Sequence, residues 1–70
     1  MIILSQNRKL AINNDNVGMI SVNGAYIQAY LIDGSNASLG YYGDSETAQK
    51  VFEEYFVKNV ATLIAMPEEP

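Results

Sequence analysis

Asn23-Gly24-Ala25-Tyr26-Ile27-Gln28-Ala29-Tyr30-Leu31-Ile32-Asp33-Gly34 decides the fold of this chain. Asn-Gly and Asp-Gly pairs populate the positive φ angles that tight hairpin turns need. Residues 25–32 between them are rich in strand formers. The stretch predicts a strand with a turn at each end, the centre of a β-meander. Alternation then sorts its faces. Ala25, Ile27, Ala29 and Leu31 share a small, apolar face suited to packing. Tyr26, Gln28, Tyr30 and Ile32 share the other.

Working outward, residues 17–22 predict the strand before and residues 37–42 the strand after. By simple alternation Gly18, Ile20 and Val22 oppose Val17, Met19 and Ser21. Likewise Ala37, Leu39 and Tyr41 oppose Ser38, Gly40 and Tyr42. Upstream, residues 2–4 and 10–12 read as two short strands separated by polar turns. Downstream, the period changes. Asp44 or Ser45 is placed to cap a helix, with Glu46 at its positive end. Ala48, Val51, Phe52, Tyr55 and Phe56 then recur on one helical face. The helix is expected to run to about Ile64 and stop at Pro67. The expected fold is α+β: an antiparallel β-meander of about five short strands packed on one C-terminal α-helix. Residues 1–66 form the domain, and 67–70 a flexible acidic tail.

Composition narrows the chemistry. The 70 residues include no cysteine and no histidine. That removes disulfides, thiolate metal sites and the commonest general base. No serine, lysine or tyrosine stands in an activating motif, and Gly40-Tyr41-Tyr42-Gly43 lacks the lysine of a phosphate loop. Asp15, Asp33 and Asp44 lie in turns without calcium-loop spacing. We therefore expect no catalytic residue, no cofactor and no metal site. The net charge of −4 belongs to residues 44–70, since Arg8 and Lys9 balance Asp15 and Asp33 upstream. This balance disfavours direct nucleic-acid binding and anionic membranes. No signal peptide or membrane-length apolar run is visible, so a cytoplasmic protein is expected.

Two features stand out as interaction surfaces. Tyr26, Tyr30 and Tyr42 are expected as a stripe on the sheet face away from the helix. Tyrosine is enriched at interfaces, though it also favours strands in its own right. Beyond Phe56 the helix is apolar on more than one side. A homodimer through Val57, Val60, Ala61, Leu63 and Ile64 would cover that surplus; the competing account is that the N-terminal strands wrap over it. The carboxylates Glu46, Glu53 and Glu54 are either a solvated face or a mimic of nucleic-acid phosphate.

The opening Met1-Ile2-Ile3-Leu4-Ser5-Gln6-Asn7-Arg8-Lys9 and the following Ile12-Asn13-Asn14-Asp15-Asn16-Val17 carry a resemblance. With Asp33-Gly34, Leu39-Gly40-Tyr41-Tyr42 and Ser45-Glu46-Thr47-Ala48, they resemble small accessory proteins of phages and prophages in Gram-positive bacteria. Asn7 stands where those proteins usually have Asp, and Asn14 where an aromatic is common. The resemblance implies a small accessory protein of a mobile element, and with the composition above a non-enzymatic protein of the host-cell cytoplasm is expected. It would bind and inhibit a host protein or complex, an anti-defence role that includes anti-CRISPR activity. The alternatives are a structural or regulatory phage protein, or a dimeric small-molecule or nucleotide sponge.

Overall fold

The computed structural model describes residues 2–58 and 63–68. The fold is α+β, with two three-stranded sheets. Strands β3 (Val17–Asn23), β4 (Tyr26–Leu31) and β5 (Asn36–Tyr41) form the expected antiparallel meander. The short strands β1 (Ile2–Leu4) and β2 (Ala11–Asn13) pair separately. A sixth strand, β6 (Leu63–Ala65), adds to β1 in parallel, giving the order β2-β1-β6.

The β3–β4 turn is tighter than the Asn-Gly pair suggests. Asn23 pairs with Tyr26 inside the ladder, so Gly24 and Ala25 form the loop. Only Gly24 has positive φ there, at 60°. That is the II′ arrangement, with glycine at the first central position. At the other end of β4, Asp33 Oδ1 accepts bonds from the Ser35 amide at 2.9 Å and hydroxyl at 2.6 Å. These bonds hold the Asp33 carboxyl below its ordinary value, the hydroxyl contributing most.

Helix α1 (Ser45–Phe52) starts as expected, with Asp44 Oδ1 accepting from the Thr47 amide at 2.7 Å. It packs on β3 and β4. Ala48 is fully buried there, and Val51, Phe52, Tyr55 and Phe56 pack against the core. The helix does not reach Ile64. After Phe52 it widens into a π turn, Glu53–Val57, closed by a Lys58 N–H bond to the Glu53 carbonyl at 3.0 Å.

The apolar run downstream of Phe56 thus ends in a strand and not in the helix that was expected. Leu63 and Ile64 are strand residues, and Ile64 lies in the core at 2% exposure. The row Ile12–Ile3–Ile64 crosses the small sheet and faces inward. Ile64, buried in the core and paired in-sheet with Ile3 of β1, is thus not exposed for the expected homodimer contact. Leu63 and Val57 remain exposed, while Val60 and Ala61 lie outside the described residues.

The chain around β6 is tied down by specific polar contacts. Met66 N–H donates to the Leu4 carbonyl at 2.8 Å, and the Tyr42 hydroxyl donates to the Pro67 carbonyl at 2.9 Å. Arg8 Nη1 donates to the carbonyls of Met66 at 2.6 Å and Ser5 at 3.0 Å, while Nη2 lies 3.4 Å from Glu68. Residues 67 and 68 are held by these bonds, so the expected tail is anchored at its start.

Candidate functional site

The helix covers one face of the meander, and the other face is open. β-Pairing arranges the open face in three cross-strand rows. They are Asn23–Tyr26–Tyr41, Ser21–Gln28–Ser38 and Met19–Tyr30–Asn36. None of these side chains is charged.

Both flanking strands contain a bulge, and the bulges decide which residues reach this face. In β5, Gln28 pairs with Ser38 while Ile27 pairs with Gly40, so Leu39 is the extra residue. A bulge shifts alternation by one position. Leu39 and Gly40 both turn inward, Tyr41 takes the open face, and Tyr42 enters the core at 5% exposure. Tyr42 was expected in the stripe; Tyr41 stands there instead. The Tyr42 ring lies over Gly40, where a Cβ would meet its Cε2 at 2.7 Å. In β3 the pairing skips Gly18, which moves Val17 to the inner side with Leu31.

The surviving expectations, Tyr26 and Tyr30, do point together. The Tyr26 and Tyr41 rings sit 4.9 Å apart at 55°, a tilted pair, each nearly half exposed. Such pairs add to area burial when a surface docks. Tyr30 is held by polar neighbours. Asn23 Nδ2 donates to Gln28 Oε1 at 2.7 Å and to the Tyr30 hydroxyl at 3.0 Å; that hydroxyl donates to Gln28 Oε1 at 3.1 Å. Asn23, read first as a turn residue, is thus part of the face. Its place in the ladder, one step ahead of the II′ loop, is the signal that turn chemistry could have given.

The Tyr41 backbone is fixed at the strand edge by Gln6. The Gln6 side-chain amide donates to the Tyr41 carbonyl at 2.9 Å and accepts from its N–H at 2.8 Å. The Gln6 backbone N–H donates to the Leu39 carbonyl at 2.8 Å. A cleft of about 200 Å³ lies beside this contact, lined by Gln6, Asn7, Ser38, Leu39, Gly40 and Tyr41.

No known family model, curated protein or solved structure matches this chain. The face must therefore be read from its own chemistry. It offers aromatic area, hydroxyl and amide hydrogen bonding, and no fixed charge. Among the described residues no cluster of three or more Asp or Glu side chains is arranged to hold a metal ion. Asp33 and Asp44 spend their carboxylates on local amides. Glu46 pairs with Lys50 at 3.7 Å and Glu53 accepts from Gln49 at 3.4 Å, both on the exposed side of the helix. No described helix is long and apolar enough to cross a membrane.

Proposed function

We propose that this chain is a non-enzymatic binding protein that docks a host protein against the open face of its meander. The observation carrying this reading is the uncharged face with the exposed Tyr26–Tyr41 pair at one end and the bonded Asn23–Gln28–Tyr30 group beside it. Asn23, Tyr26, Gln28, Tyr30 and Tyr41 already hold one another, so docking orders less that is free, which favours affinity. Rigid tyrosines supply large contact area with few rotatable bonds. The cleft beside Tyr41 gives a docked partner a place for one inserted side chain.

The partner's class rests on the resemblance to phage and prophage accessory proteins, which points to a bacterial host factor and to inhibition as the outcome. Affinity capture from a Gram-positive lysate identifies the factor. Tyr26→Ala with Tyr41→Ala is expected to weaken capture by roughly 2 kcal/mol or more, the loss typical of truncated interface aromatics. Glu53→Gln with Glu54→Gln, on the helix, is expected to leave it intact. The reverse pattern would refute the face and favour phosphate mimicry by the acidic helix.

A further inference from the structure

We infer that the outer edge of β3 is an interface for a second copy of this chain, the two β3 strands pairing antiparallel about a two-fold axis at Ser21. The two edges of the meander are treated differently. The β5 edge is occupied over Leu39–Tyr41: Gln6 bonds it through its backbone and through both ends of its side-chain amide. On the β3 side, no described strand pairs with β3 away from β4, and the end of the helix flanks that edge across a groove.

Exposed edges normally carry lysine, proline or charge, or are very short. β3 has seven residues, Val-Gly-Met-Ile-Ser-Val-Asn, with none of those features. Its one irregularity is the bulge at Gly18, near its start. Residues 19–23 beyond it pair regularly with β4. A groove of about 320 Å³ also runs along this edge, between Met19 and Ile20 on one side and Phe52, Phe56 and Val57 on the other. Val57 is 65% exposed and Met19 54%.

Charge does not oppose a second copy as the occupant. A chain of net charge −4 repels its own copies, and the repulsion is least where both surfaces are neutral. Residues 17–32 contain no charged side chain at all. The register is also self-complementary. Centred on Ser21, Ile20 of one copy faces Val22 of the other, both on the inner, apolar side. Met19 faces Asn23 on the open side. A slip of one residue would oppose Ile20 to Ser21 and break this match. A pairing confined to the regular stretch of residues 19–23 would be a small contact, so the dimer should be reversible and concentration-dependent.

The absence of cysteine makes the test direct. Light-scattering mass should rise with concentration from 7.7 kDa towards twice that value. Ser21→Cys should form a disulfide-linked dimer at least roughly tenfold faster than Ser38→Cys, because pairing raises the local thiol concentration. Ser38 is the more exposed of the two, so random collision predicts the opposite order. Met19→Lys should keep its circular dichroism and dimerise roughly tenfold more weakly. A wild-type mass fixed at 7.7 kDa up to the solubility limit overturns the inference, as does cross-linking of Ser21→Cys no faster than Ser38→Cys. An unchanged dimer in Met19→Lys also overturns it. Tyr41→Ala should leave self-association unaltered while weakening host-partner capture, so the two surfaces are separately testable.

Discussion

Gly40 and Tyr42 show how one residue's size sets another's position. The Tyr42 ring occupies the space that a side chain at residue 40 would need. Gly40→Ala is therefore expected to force the ring or the strand aside, at about 1–3 kcal/mol. In a domain of this size each kcal/mol lowers the melting temperature by about 4–8 °C, which a thermal scan resolves. Tyr42→Phe keeps the ring and removes the bond to the Pro67 carbonyl, so a smaller loss of about 0.5–1.5 kcal/mol is expected. Arg8 poses the converse case. Its φ of 63° is the left-handed conformation that side chains rarely adopt, yet its guanidinium spans Ser5 and Met66. Arg8→Gly relieves the backbone and Arg8→Lys keeps the charge. If the two carbonyl bonds dominate, both variants should be less stable than wild type, with faster hydrogen exchange at the Met66 amide.

Among the elements, the meander and the start of the helix were legible because short-range chemistry fixes them. Turn residues bracket β4, and Asp44 caps α1. The bulges were not legible. Alternation counts one residue per step, and nothing marks Leu39 as an extra one beyond the glycine that follows it. That single step exchanged Tyr42 for Tyr41 on the open face. β6 was hidden for another reason. Three apolar residues read equally well as a last helical turn or as a strand, and only β1 distinguishes them. The turn and cap carboxylates make a prediction at this scale. Asp44 is held below its ordinary value of 3.8 by the Thr47 amide, and Asp33 is lowered by Ser35. A carboxyl lowered on folding contributes stability above its unfolded value and loses it as pH falls through the folded value. Acid melting should therefore steepen below pH 3.8. Asp44→Asn keeps a good cap and should flatten part of that fall.

For the whole molecule, the useful contrast is between a charged helix side and a neutral sheet side. Host-partner binding through the neutral side should change by less than roughly threefold when salt is raised, because there are no fixed charges there to screen. Binding through the acidic helix would weaken markedly under the same titration.

The Gln6 amide has a consequence for assembly. A sheet with two open edges behaves like a bifunctional monomer, able to add units at either end without limit. By filling the Leu39–Tyr41 stretch of β5 with its own side chain, the protein leaves β3 as the open edge of the meander. On the proposed β3 pairing, association through the meander should stop after a single event, with Gln6 standing against growth into a fibre. Gln6→Ala should restore the second valence. Its expected signature is a slow, concentration-dependent rise in thioflavin fluorescence that the wild-type chain does not show.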